Sequence, residues 1–484
     1  MKADKLLLPL LFCTLAGCGD KGGSSSPDKS GEFEGIWTST TYGTTYEING
    51  DRVIVYQHDS EYCIGLHSVG GVRPADLEAL FVLDDNGQSI TDPGDNGVLS
   101  IHAPAIRYVK SDSLPAPCEY PVATIDDPGY ERNPMLDLAI FARTFADYYL
   151  SFDLKQADWV SISQQATARV SSDSSDEDLL DALYEMITPL ADAHVHISSE
   201  ELGIASVNGK PVLVERLIAE YASQNGLALP LPASHQEGVS SYIENQLELY
   251  VDIILSYAAD ETDLRSGANG QLIWYQTEDI AYLQINAMTE FSADADDNAA
   301  ELAALEEALD HCLEDIQDSA GLIVDVRTNN GGQDFLSMAI ASRFVSTEQL
   351  AFSKQARQGN DKAELQYAYI QPRGDFQYLK PVVLLTSTST VSAAEVFTLI
   401  MRSLPQVTVV GEATQGALSN TLERKLPNGF SFSLSNEFYY STEGEWFEGS
   451  GIPVDVEVPF FTQEQREAES DAGLEMAYAI LTGN

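Results

Sequence analysis

The sequence predicts an α/β protein: an α/β core over residues 270–465, preceded by a helical subdomain over 133–200, a mainly helical insertion over 201–269 and a small antiparallel β domain over 32–120. Three observations lead there. From residue 270 onward the apolar runs LIWYQ, IAYLQIN, GLIVDVR, PVVLLTS and VTVVGE alternate with the helix-period segments AAELAALEEALDHCLEDI, FLSMAIASRFV and AAEVFTLIMRSL, the pattern of helices packed on a sheet. Before that, NPMLDLAIFARTFADYYLSFDL and DEDLLDALYEMITPL carry helical periodicity, separated by the Ser/Asp-rich break SSDSSD. Earlier still, GIWTSTTYG, TTYEINGDRVIVYQH and ALFVLDDNGQSI are short Tyr-, Thr-, Val- and Ile-rich runs with NG and DNG turn signals between them. At 484 residues the chain exceeds one ordinary domain of roughly 150 residues.

The first element is a leader. MKADKLLLPLLFCTLAGC places Lys2 and Lys5 before the apolar run Leu6–Leu15, too short to anchor across a bilayer. Its ending, LAGC, resembles the lipobox of bacterial lipoproteins, which implies a signal peptide at 1–18, cleavage before Cys18 and lipid on that cysteine. Residues 19–31, GDKGGSSSPDKSG, then read as a flexible tether. By the same resemblance Gly19, in place of Asp, favours outer-membrane sorting, so the expected location is the bacterial cell envelope, facing the periplasm or the exterior.

Charge and cysteine usage narrow the partners. Asp and Glu number 75 against 26 Lys and Arg, a formal charge of −49 spread along the chain, so nucleic acid is a poor partner. A solvated acidic surface accounts for most of that excess. Five cysteines are present: Cys13 leaves with the leader and Cys18 carries lipid, which leaves Cys63, Cys118 and Cys312 in an oxidising compartment. Cys63 is expected to pair with Cys118, because both fall in the first folded segment. Cys312, inside LEEALDHCLEDI, reads as a buried thiol.

Chemistry concentrates in three places. TSTSTVS (386–392) follows the buried strand PVVLL and precedes a helix, and six of its seven residues carry hydroxyls. Ser392 falls in the first turn of that helix, where unpaired N–H groups and the positive end of the dipole stabilise an oxyanion. The same position suits a capping box with Glu395, so cap and nucleophile both stand as readings. No GxSxG elbow occurs. The second place, DVRTNNGGQD (325–334), is a strand-to-helix turn whose paired glycines let backbone N–H groups approach an anion, or simply meet a tight turn's need for positive φ. The third is LADAHVHIS (190–198). As a strand it would set Asp192, His194 and His196 on one face, open to zinc ligation or to one imidazole acting as general base.

Together these places resemble the serine peptidase family of C-terminal processing (tail-specific) proteases and the tricorn core protease. The resemblance covers most of residues 133–460: MITPLADAHV for the segment ending in DGH, GLIVDVRTNNGG for the NxGG loop, TVSAAEVF for the nucleophile stretch, VVGEATQG for GExTxG, and EGSGIPVD for EGxGxxPD. It implies a ClpP/crotonase-like core of strand-strand-helix units and a membrane-tethered endopeptidase that acts on peptide or unfolded protein, without metal or other cofactor. Carried over residue by residue, Ser392 is the nucleophile, and Gly331, Gly332 and Ala393 form the oxyanion hole. Ala417 occupies the position of the lysine base, so the match is to the tricorn-like branch: His194 is the base and Glu448 the acid behind it. That branch places a serine directly before the histidine; here the residue is Ala193. No PDZ domain is evident, since residues 201–265 read helical apart from IASVNGKPV. The competing reading is a peptidase-fold scaffold lipoprotein whose catalysis has lapsed.

Overall fold

In a computed structural model, residues 30–99, 104–206, 212–258 and 263–483 are described. Cys18 and almost all of the tether lie outside them. The N-terminal β domain is a seven-stranded antiparallel sheet in the order 63–69, 52–58, 44–49, 35–39, 106–111, 89–92, 82–83. Its tightest hairpin pairs Asn49 with Arg52 across Gly50–Asp51, with Gly50 at φ 61°, the positive φ that a two-residue loop with glycine first requires. Trp37, Ile48, Val53, Leu77, Phe81, Ile90 and Tyr108 fill its core. A disulfide between Cys63 and Cys118 closes the last turn onto the edge strand.

Helices Pro134–Tyr148, Trp159–Arg169 and Asp176–Ile187 follow, each with a local start signal: Asn133, Asp158 and Ser175 accept from backbone N–H groups of their first turns. Their buried faces, among them Phe141, Phe145, Trp159 and Leu183, pack on Phe432 of a four-stranded sheet in the order 421–425, 431–435, 196–199, 203–206. Packing of those helices therefore fixes the strand that begins at His196.

The core sheet runs in the order 265–267, 272–277, 280–285, 321–325, 382–386, 407–411, 456–457 and is parallel from 280–285 onward. Parallel sheets need both faces covered. Helices Asn298–Asp315, Asp334–Ala341 and Ala393–Arg402 bury one face. Val212–Gln224, Gln236–Ser256 and Ala472–Thr482 bury the other, through Leu217, Tyr250, Ile253 and Leu474. Gly321–Asp325 lies beside Val382–Thr386, so the loops leaving their C-terminal ends are neighbours, the usual place for a ligand in such sheets. A buried ion cluster stiffens the first loop: the Arg327 guanidinium reaches Asp325 (2.6 Å) and Asp471 (2.8 Å), while Tyr282 donates to Asp325 (2.8 Å).

Strands 349–358, 366–370, 431–435 and 437–440 are among those that escaped the sequence reading. In Gln349–Gln358 the polar Ser353 and Lys354 are buried alongside Ala351, Phe352 and Ala356. Lys354 is matched by Glu437 at 2.8 Å on the adjacent strand, a pairing that no local pattern announces.

Candidate active site

The hydroxyls of residues 386–392 divide by what they touch. Thr386 donates to Glu412 O (2.9 Å), Ser387 to Arg327 O (2.5 Å), Thr388 to Glu412 Oε2 (3.3 Å) and Thr390 to Val326 O (2.9 Å), while Ser389 accepts from Leu213 N (3.4 Å). Five of the six therefore stitch the strand end to its surroundings. Ser392 differs: its Oγ lies 3.0 Å from His194 Nε2. Its backbone sits at φ 58°, ψ −126°, a region that costs a non-glycine residue about 1–3 kcal/mol unless neighbours hold it. Glu395 does the holding, accepting the Ser392 N–H at 3.2 Å. The carboxylate half of a capping box is thus present, while the serine hydroxyl is aimed at the imidazole.

His194 reaches this position from a turn. The strand begins only at His196, and Ala191 at φ 44° bends the chain before it, so Asp192, His194 and His196 do not share a strand face as expected. Asp192 Oδ1 accepts the His194 N–H (3.0 Å) in an Asx turn, and the carboxylate is held by Tyr149 OH (2.9 Å) and Ser435 Oγ (3.1 Å). His196 Nδ1 lies 2.6 Å from Ser433 Oγ. The three candidate zinc ligands face three different partners, and among the described residues no three His, Cys, Asp or Glu side chains converge on a common point.

The NNGG loop is built around Asn329. Its Nδ2 donates to Ile285 O (3.0 Å), its Oδ1 accepts from Gly331 N (2.9 Å), and its carbonyl accepts from Val391 N (3.1 Å), which ties this loop to the turn that carries Ser392. The Gly331 N–H is thereby engaged. Among the described residues the N–H groups of Gly332 and Ala393 meet no acceptor. Gly331 contributes space instead: at φ 98°, a Cβ there would stand 2.7 Å from Ser392 Cβ and 3.0 Å from Ala393 N.

Two buried carboxylates finish the site. Glu395 accepts from Thr414 Oγ1 (2.6 Å), Gly416 N (2.7 Å), Ala417 N (2.8 Å) and Ser392 N (3.2 Å). Thr414 Oγ1 also receives Ile452 N at 2.7 Å, so this one carboxylate gathers the Ser392 turn and the loops around 414 and 450. Burial pushes Glu395 up to about 7, against those donors. Glu448 accepts through Oε2 from Leu418 N (2.9 Å) and Ser419 N (3.0 Å). Among the described residues its Oε1 is buried without a partner, as is His194 Nδ1. Burial, then the negative charges of Asp192 and Glu395, raise Glu448 well above the ordinary range, whereas burial lowers the His194 imidazole, with Asp192 opposing. Ala417 presents a buried methyl where a lysine base would stand, and Lys425 lies in a strand whose backbone bonds Gln57 of the β domain at 3.1 Å. The supporting roles of Asn329 and Thr414, and the reach of Glu395 beyond a capping box, were missed; the local signal was their place in the NNGG, GEAT and SAAE stretches.

Residues 279–458 match the model of peptidase family S41. The carboxy-terminal processing protease CtpA of Bacillus subtilis (strain 168) is 22% identical over 167 residues, 33% of this chain and 34% of that protein. The chain therefore spans about a third of that curated relative. The crystal structure of a candidate peptidase from Parabacteroides merdae ATCC 43184 is 24% identical, with a TM-score of 0.56 over 72% of this chain and 97% of the other, a likeness that speaks for the fold.

Proposed function

Carrying a peptidase family S41 domain at residues 279–458, the chain is, we propose, a serine endopeptidase held at the cell envelope through lipid on Cys18, hydrolysing peptides or unfolded proteins. The observation that carries this reading is the 3.0 Å approach of His194 Nε2 to the hydroxyl of Ser392 at a strained helix start. An isolated serine hydroxyl is a poor nucleophile near neutral pH, and a neutral imidazole within hydrogen-bond reach supplies the missing base.

In this mechanism His194 Nε2 takes the Ser392 proton as Oγ bonds to the scissile carbonyl carbon. The carbonyl oxygen becomes an oxyanion, stabilised by the N–H groups of Ala393 and Gly332. Protonated His194 then delivers its proton to the leaving amine as the C–N bond breaks, leaving an acyl group on Ser392. Water, deprotonated by the same imidazole, releases the acid. Glu448 is assigned to support His194 through a water that stands in for the serine side chain missing at Ala193: among the described residues Glu448 Oε1 and His194 Nδ1 are both buried with no partner, as such a bridge requires.

That same gap favours a second reading, a scaffold lipoprotein in which catalysis has lapsed. A fluorophosphonate probe separates the two. The serine peptidase reading expects stoichiometric labelling of the parent and none of Ser392→Ala. A folded parent that resists the probe would establish the scaffold.

A further inference from the structure

His196, whose ring no step above employs, sits in a hydrogen-bond arrangement that fixes its own tautomer. Ser433 Oγ lies 2.6 Å from the His194 carbonyl oxygen, 2.6 Å from His196 Nδ1 and 3.3 Å from His196 N. The contact between two oxygens requires a proton, and only the serine can provide it. A hydroxyl has one hydrogen and two acceptor sites. With its hydrogen given to His194 O, Ser433 must accept from both His196 N–H and His196 Nδ1–H, so the imidazole carries its proton on Nδ1. The reverse assignment would leave two oxygens 2.6 Å apart with nothing between them.

This places a second histidine behind the general base. Strand 431–435 pairs with strand 196–199, with Ser433 opposite His196, so the serine is carried on a rigid element. Ser435, two residues on, reaches Asp192 at 3.1 Å. The loop bearing His194 is therefore held at two points from one face of one strand: Ser433 bonds the base's own carbonyl directly, while Ser435 acts through Asp192, which accepts the His194 N–H. The half-exposed ring of His196 can be altered without opening the core, unlike Asp192, which is 2% exposed.

Resting on the serine peptidase reading, we propose that His196 is a positioning residue for the general base: its Nδ1–H polarises Ser433, whose hydroxyl anchors the His194 carbonyl and so sets the imidazole against Ser392. His196 itself touches neither substrate nor nucleophile. An asparagine side chain can place an N–H where Nδ1–H stands, whereas leucine fills similar space with no donor, so the two replacements separate hydrogen bonding from packing.

The test compares acylation of Ser392 by a fluorophosphonate, and peptide turnover, in the parent, His196→Leu, His196→Asn, Ser433→Ala and the double variant His196→Leu/Ser433→Ala. The expected result is a 10- to 100-fold slower acylation in His196→Leu with KM unchanged, recovery to within a few-fold in His196→Asn, and a double variant no slower than Ser433→Ala alone. Parental acylation in His196→Leu, no recovery in His196→Asn, or additive losses in the double variant would each overturn the positioning role while leaving the peptidase reading intact. A parent that takes up no probe overturns both.

Discussion

Replacing Gly331 by alanine tests the site where backbone geometry is least forgiving. At φ 98° the position lies in the left-handed half of conformational space, which costs an L-residue about 1–3 kcal/mol before any contact is counted. The added methyl would stand 2.7 Å from Ser392 Cβ, 2.7 Å from Val391 O and 3.0 Å from Ala393 N. Two of those atoms are backbone and cannot swing aside. The last distance falls within the 2.7–3.1 Å or so that separates an oxyanion from its donor, so the methyl claims the volume the oxyanion needs. Losing one oxyanion donor costs about 100- to 1,000-fold in rate, and Gly331→Ala is expected to reach at least that in fluorophosphonate acylation of Ser392. Thermal unfolding followed in parallel should fall by several degrees, consistent with the backbone cost alone. Acylation within threefold of the parent in a folded Gly331→Ala would refute the placement of the oxyanion beside Ala393.

Three further outcomes follow from the same geometry. The general base must be neutral, and burial lowers the His194 imidazole, so the acid limb of kcat/KM is expected below the ordinary imidazole value of about 6.5; a limb well above 7 in a pH profile would point to a different base. Glu395→Gln puts an amide NH2 among four converging donors, so turnover should drop by one to two orders of magnitude, with Tm falling and the Ser392→Ala background showing the same loss of stability; unchanged kcat would remove Glu395 from the scaffolding of the nucleophile. Asp137, 1% exposed and accepting from Asn428 N at 3.3 Å, is pushed up to about 7 by burial. Its folded form holds a proton more tightly than its unfolded form, so this group's favourable contribution is complete below about 4 and is lost as pH rises through 7, a ceiling of about 4 kcal/mol. Asp137→Asn should therefore raise Tm at pH 8 and have little effect at pH 4, which calorimetry at both values can check.

Elements with strong internal periodicity were legible in the chain. The parallel strands read as continuous apolar runs because both faces are covered, and helices 134–148 and 176–187 announced themselves through their apolar periodicity, whereas 159–169, with only Trp159 and Ala166 buried, did not. Strands 349–358 and 437–440 were not, because Lys354 and Glu437 look solvent-facing until each is seen to neutralise the other. The stretch 190–198 misled for a related reason. Alternating residues suggest a strand, but Asp192 folds back onto the His194 N–H, a local bond that competes with sheet pairing.

Sequence by itself settled the order of the chemistry-bearing loops and the residue types within them: a serine at a helix start, a glycine pair after a buried strand, a histidine some two hundred residues upstream. It left Ser392 suspended between capping its helix and attacking a carbonyl, because both roles ask for the same residue at the same place. Tertiary structure decided which partners that side chain meets. Glu395 takes up the Ser392 N–H, and helices packed on Phe432 bring His194 within 3.0 Å of the hydroxyl. A hydrogen bond between residues 198 positions apart is a property of packing, and no pattern local to either residue encodes it.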